Sequence, residues 1–454
     1  NVSTVSILGD TSAMALSNST MTVTNNFVLS GYDYFDVLSA ELNVGENLYL
    51  ENGDFNVNMS GVSVADSIDM SNIDIFTLNN STLTAVSFTA SDINEVDISS
   101  SAIAVSSSMA LANFTHLNFF SAGLSAANNL TFSSGTVLFT NSNILNSANL
   151  QFTDTNLVIT TSSFDVSGGT YFTDSSIIIS SSNLTSQNMY VNNSNIILRN
   201  DSVLAADTYL ESGSELKGFG TVDGLLTLKS NAALSVGENS NEYGQITADS
   251  VKFETGSFLY IDVKSSNSVT SGDKLEVLQN DTVEEGVTLG VNVIGDNSEF
   301  TSKKTFEIIT CGGILNSSVP SIFDSIELSN ARLKADVKYL GNSILLNIFQ
   351  SWSSYALLDP TNNEKAMLDT LNNIFENPAE SLIFDKTLAK LDELYGDYQN
   401  TGNSAPFLDA ISDLSGVFYA NSFMSSSLLS KTNMIYNRLS DSSEREKNNI
   451  WAQA

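Results

Sequence analysis

Residues Asn149–Ser182 read NLQFTDTNLVITTSSFDVSGGTYFTDSSIIISSS, and the tripeptide Phe-Thr-Asp occurs twice, at Phe152–Asp154 and Phe172–Asp174. Each copy is followed by a short polar step and an apolar triplet, Leu157-Val158-Ile159 and then Ile177-Ile178-Ile179. The offset between the copies is 20 residues. Working outward at that period, Phe172 is followed by Val191 in NMYVNNSNIIL and by Leu210 in DTYLESGSEL. Backward, it meets Phe132 in NLTFSSGTVLF and Leu111 in MALANFTHLNF, then Phe88, Met70 and Leu50. From Leu50 onward the steps are 20, 18, 23, 21, 20, 20, 19 and 19.

Within each unit, short alternating apolar stretches such as TVLFTNSNI and NLVITTSSFDV are divided by Ser, Asn, Gly or Asp. Alternation is the strand signature, and the dividing residues are turn formers. A unit of ~20 residues cannot bury its apolar face alone, so units must stack. Stacked coils hydrogen-bond at the ~4.8 Å strand spacing, with equivalent residues piled in ladders. The expected fold is therefore all-β, a right-handed parallel β-helix with coils of about 20 residues over 1–215 and a C-terminal α-helical segment. The handedness follows from the preference for right-handed parallel crossovers. Phe132, Phe152, Phe172, Val191 and Leu210 are the expected internal ladder. A β-propeller is the rival, but its blades need ~40 residues.

Composition agrees with strands and turns. Of 454 residues, 42% are apolar and only 15% charged, with Ser, Thr and Asn making up the difference. The net charge is -33, and no Lys or Arg occurs before Arg199, while residues 1–198 contain 16 Asp and Glu. Such a surface repels nucleic acid and anionic membranes, so no nucleic-acid partner is expected. It suits solubility, divalent-cation binding or avoidance of an anionic cell envelope. The one cysteine, Cys311, allows no intramolecular disulfide. No run of 18 apolar residues is present to span a membrane as a helix. The chain starts at Asn1 without Met, which points to processing or truncation.

After Leu216 glycine and lysine enrich the sequence, yet short strands continue to about Phe349; residues 216–350 are expected to form a modified, capping end of the solenoid. From about Asn362 the apolar spacing becomes helical, in EKAMLDTLNNIF, TLAKLDELYGDY and the stretch Pro406–Asp441. Residues 351–446 are thus expected to be a helical linker. The final NNIWAQA reads as the beginning of a strand, over 447–454.

These segments together resemble the passenger of a Gram-negative autotransporter of the classical, monomeric type V secretion class. Over 1–215 the resemblance is one of architecture. Over 216–454 it rests on motifs. GFGTVDGLLTLKSNAALSVGENSNEYGQITADSVKFETGSFLYIDV, with SGDKLEVL and TFEIITCGGIL after it, resembles the autochaperone segment. NEKAMLDTLNN and LDAISDLSGVFYAN resemble the helical region before the translocator, through Leu414, Ser415 and Gly416. YNRLSD…NNIWAQA resembles the approach to the first barrel strand, with Arg438 and Trp451 in the corresponding places. Val236-Gly237-Glu238 departs from the family's usual proline. The resemblance implies export through the periplasm, translocation through the chain's own outer-membrane barrel, and display at the cell surface.

Candidate chemistry is sparse. His116 is the single histidine, and neither G-D-S-G nor G-x-S-x-G occurs, so a Ser-His-Asp system has little to draw on. LGDTS at Leu8–Ser12 carries Thr11 where an esterase of the GDSL type has its Ser. Asp154 and Asp174 share a repeat position, occupied by Asn193 one unit later. Stacked, they would serve acid chemistry or hold a cation; as turn residues they would do neither. With one His and one Cys no Cys/His metal cluster can form, and neither a catalytic residue, a resident metal nor a cofactor is expected. The expected function is accordingly adhesion or self-association through multivalent contacts along the solenoid, with host or bacterial surface proteins or glycans as further partners. The alternatives are a polysaccharide lyase or glycosidase using the stacked carboxylates, or a passive surface filament.

Overall fold

A computed structural model describes residues 1–11, 13–238, 243–266, 269–279, 281–283, 286–294, 300, 303–312, 323–330, 333–350, 361–376, 387, 390–391, 394 and 405–421. The chain divides into two compact units. One comprises Asn1–Tyr260, Lys274–Leu289 and Thr310–Ser325; the other comprises Ile261–Asp273, Gly290–Ile309 and Ile326–Ala454.

The first unit is a parallel β-solenoid with coils of about 20 residues. The coil that starts at Asn149 shows how it is built. Strand Asn149–Thr160 bends once at Asp154, giving a first face (149–153) and a second face (156–160), and strand Ser163–Val166 forms the third. Side chains alternate between buried and exposed along each face, as a pleated strand requires. The inward rows are continuous. Phe132, Phe152, Phe172, Val191 and Leu210 are in register on the first face, and all are fully buried. The three phenylalanine rings stack with centroids 5.0 and 5.5 Å apart. On the second face the inward rows run Val137, Leu157, Ile177, Ile196 and Phe139, Ile159, Ile179, Leu198. On the third they run Ile144, Phe164, Leu184, Leu204.

One ladder assignment needs correction. The row through Leu50 and Met70 continues to Ala90 and Leu111, not through Phe88. Phe88 also points inward, but two residues earlier in the strand, in the row of Ile68 and Met109. With Ala90 the steps from Leu50 become 20, 20, 21 and 21, so the coils are more regular than the search for large apolar residues suggested.

The corners are as repetitive as the faces. Between the first and second faces one residue per coil takes positive φ: Asn72 (51°), Asp92 (56°), Asn113 (55°), Ser134 (59°), Asp154 (52°), Asp174 (50°) and Asn193 (47°). Asn and Asp dominate because their short polar side chains tolerate the left-handed region. Between the second and third faces the same conformation falls on Asn80, Ser100, Ser121, Asn141, Thr161 and Ser181. A buried residue, most often Ser, follows each, and these serines form a ladder. The amide of Ser60 donates to Ser81 Oγ (3.1 Å), Ser81 to Ser101 Oγ (3.0 Å), Ala122 to Ser142 Oγ (3.1 Å), Ser142 to Ser162 Oγ and Ser162 to Ser182 Oγ (both 3.0 Å). A sharp corner removes one amide per coil from the strand ladder, and where the next coil carries serine its hydroxyl accepts it; Ala122 interrupts the ladder once, after Ser101. The third corner demands close approach instead. A Cβ on Gly168 would lie 1.8 Å from the Ala148 carbonyl oxygen.

Parallel pairing runs on past residue 215, with Ile196, Leu216, Leu234 and Leu259 in successive register. Cys311 is buried in this unit and donates its thiol to the Gln279 carbonyl at 2.9 Å.

The second unit contains an antiparallel hairpin, Leu333–Tyr339 with Ser343–Gln350, and two helices, Asn362–Glu376 and Ala405–Asn421. The first helix opens on a reciprocal capping box. The Glu364 carboxylate accepts the Thr361 amide at 2.7 Å and Thr361 Oγ1 accepts the Glu364 amide at 3.4 Å. Met367, Leu368 and Leu371 are its buried face, and Phe407, Ala410, Ile411 and Leu414 that of the second. Ser415 is buried and donates to the Ser412 carbonyl at 2.7 Å; Gly416 lies in the same helix. Arg438, Trp451 and the whole of 447–454 lie outside the described residues.

Candidate functional site

The strand pleat that buries one set of side chains displays the other, so each face of the solenoid carries outward rows one coil apart. On the second face the central outward row begins polar. Asp36, Asn56 and Thr77 satisfy one another, with Asn56 Nδ2 donating to Asp36 at 3.0 Å and Thr77 Oγ1 to Asn56 at 2.7 Å. Asp97 and Asn118 follow in the same way, at 2.7 Å. The row then turns apolar for four coils, Leu138, Val158, Ile178 and Ile197, before Lys217 ends it. Val158 and Ile178 are the middle members of the two apolar triplets. Their neighbours go inward, so they must face out. Flanking them are Thr140, Thr160 and Ser180 on one side and Thr136, Asn156 and Ser176 on the other. Phe120, 53% exposed, precedes Thr140 in its row and follows Ser99.

On the first face the central outward row carries Tyr171, Tyr190 and Tyr209 in three successive coils. Their rings stack at 5.3 and 5.2 Å with interplanar angles of 12° and 13°. Neither outward row was among the residues singled out from the sequence. Fixing the core register first would have revealed both, because the residue between two inward positions is outward by construction.

Asp154 and Asp174 occupy the same corner of adjacent coils and are exposed. Each holds the left-handed residue of its turn. Asn193, one coil on, donates Nδ2 to Asp174 Oδ1 at 2.6 Å, and Asn113 contacts Asp92 likewise at 3.1 Å. That is turn chemistry shared by coils with and without a carboxylate. His116 stands exposed on the outer second face between Glu95 and Thr136, mid-strand rather than in a turn. Among the described residues no three or more His, Cys, Asp or Glu side chains are placed to hold a metal ion.

Charge is distributed in blocks. Residues 1–97 contain 13 Asp and Glu, residues 98–153 contain no Asp, Glu, Lys or Arg, and residues 154–198 contain three Asp. In the first block burial, with the neighbouring Asp74, Asp33 and Asp36 charges, raises the Asp54 carboxyl above the ordinary range, although the Ile75 amide hydrogen bond opposes this. Burial chiefly, and the Asp54 charge after it, raises the Tyr32 phenol well above its usual value. Further along, burial and the adjacent Asp223 carboxylate raise Asp249. At the basic end Arg199 forms an ion pair with Glu238, Nε to Oε2 at 2.7 Å.

Comparison with protein-family models and with curated protein sequences found no match for this chain.

Proposed function

We propose that this chain is an adhesive passenger: exported through the periplasm by the autotransporter route, displayed on the cell surface, and active through repeated weak contacts along its solenoid. The observation that carries the reading is the repetition of outward rows. A contact made by Val158 is offered again by Ile178 one coil later, and one made by Tyr190 again by Tyr209. Contacts that are weak singly become strong when many are engaged together. Self-association between displayed copies is the first activity. Its test is the settling of otherwise non-clumping bacteria carrying the chain on its own barrel, with and without EDTA. Fast settling supports the reading, and EDTA sensitivity assigns part of it to cations bridging acidic faces. Suspensions that stay dispersed remove self-association.

The tyrosine row favours a second ligand class, a surface glycan, because half-exposed aromatic rings suit the apolar faces of sugars. Binding to a glycan array that is lost with Tyr190→Ala would support this. Polysaccharide cleavage is the weaker reading, since Asp154 and Asp174 already serve as corner residues; turnover abolished by Asp154→Asn would restore it.

A further inference from the structure

The question left open by self-association is where a chain of net charge -33 touches a copy of itself. We infer that two copies meet face to face through the outer second face, along the apolar row Leu138, Val158, Ile178 and Ile197. This rests on the self-association reading above and gives it a location.

Three observations converge. First, the N-terminal coils are excluded: the same row there holds Asp36 and Asp97, and a second copy would bring like charges together. Second, the coils of Leu138, Val158 and Ile178, with their flanks from Thr136 and Thr140 to Ser176 and Ser180, present no charged side chain on this face; the first charge is Arg199, beside Ile197 at the basic end and paired with Glu238. Contact there costs no carboxylate desolvation. Third, the row is bounded by opposite signs, Asp97 and Lys217, each three coils from Val158. Two copies laid antiparallel about Val158 place Asp97 of each against Lys217 of the other. A parallel arrangement places Asp97 against Asp97. The charge pattern therefore selects the antiparallel pairing, the sense needed by chains projecting from two facing cells.

The size of the row sets the mode of action. Four coils at ~4.8 Å span only ~14 Å. With a face five residues, ~16 Å, wide the strip covers only about 200–300 Å², far below the ~800 Å² per partner of a stable complex. Isolated chains are expected to stay monomeric, and association to need arrays on cells.

The test uses cells displaying the full chain. Two double variants are made, Val158→Lys with Ile178→Lys, and Val158→Glu with Ile178→Glu. Chymotrypsin resistance of the displayed chain, matched to wild type, shows that each is folded. The expected result is loss of settling in each strain alone and its recovery when the two strains are mixed, since complementary charges then face one another at position 158, with those at 178 one coil away. Val158→Thr with Ile178→Thr, which keeps the β-branched shape, is expected to settle more slowly than wild type. If wild type settles and both charged strains settle equally well alone, the location is wrong while self-association stands. If wild type does not settle, both fall. Salt gives an independent reading: added NaCl screens the repulsion among the many carboxylates and also the two surface Asp97–Lys217 pairs, which are worth little singly, so settling should hold or quicken. Aggregates that dissolve in salt would overturn an apolar contact.

Discussion

Replacing Ser142 with Ala removes one oxygen and tests the corner ladder. Ser142 is 1% exposed, and its Oγ accepts the Ala122 amide at 3.1 Å while lying 3.0 Å from the Phe119 carbonyl and 2.9 Å from that of Thr140. Alanine fits the space, as Ala122 does one coil earlier, so no clash confuses the result. The variant leaves the buried Ala122 amide without an acceptor, at a cost of ~1–3 kcal/mol, and forfeits one net hydroxyl bond of about 1 kcal/mol. The sum, about 2–4 kcal/mol, is large against an exposed control such as Ser176→Ala, expected within ~0.5 kcal/mol. Guanidinium unfolding followed by far-UV circular dichroism measures both. Because a solenoid is stabilised coil against coil, the loss should also concentrate locally, with hydrogen exchange accelerating first at the amides of Ala122 and Ser142. A loss below ~0.5 kcal/mol for Ser142→Ala would refute the claim that the hydroxyl ladder satisfies otherwise orphaned amides.

Other outcomes follow from the same geometry. Phe152→Ala, in the middle of the stacked ring ladder, should cost ~3–5 kcal/mol by the same denaturation assay, and Phe152→Leu under about 2 kcal/mol. Asp174→Asn should keep near-wild-type stability, since Asn tolerates the left-handed corner; Asp174→Val should destabilise measurably because a β-branched residue does not. Asp54 has a raised carboxyl, so its ionised form is disfavoured by folding; its contribution is fully present below the unfolded pKa and lost as pH rises through the folded one. Asp54→Asn, which keeps an acceptor for the Ile75 amide, should therefore stabilise the chain at pH 7 and leave it little changed at pH 3, as read by thermal melts.

What the sequence discloses, and what it hides, follows from the chemistry of each position. The inward row Phe132, Phe152, Phe172 is legible because large rings recur at one coil length with alternation around them. The same search misplaces Phe88, since residues two apart in a strand share a face and the eye prefers Phe to Ala. Ala90 is sufficient in its row because Phe88 and Phe76, in edge contact at 6.3 Å, fill the neighbouring space. The buried serines are harder to see. Serine reads as a turn former, and only the recurrence of Ser142, Ser162 and Ser182 at 20 residues, each just after a left-handed residue, separates a buried ladder from ordinary turns. The apolar triplets conceal the outward row, because three consecutive aliphatic residues look like core until alternation assigns the middle one to the surface.

The corner design also bears on how such a chain can change length. Asn143 pairs with Ser163, and Asn183 with Ser163, so Ser142 and Ser162 are equivalent junctions. Excising Asn143–Ser162 would join Ser142 directly to Ser163 and return every inward row, hydroxyl and left-handed corner to phase. Removing one residue more or fewer would turn the core of the next strand outward. Such a chain is therefore free to gain or lose whole coils, whose pattern rather than whose exact sequence repeats, and closed to almost every other insertion within the faces. The length of the solenoid becomes a heritable quantity that varies in steps of one coil.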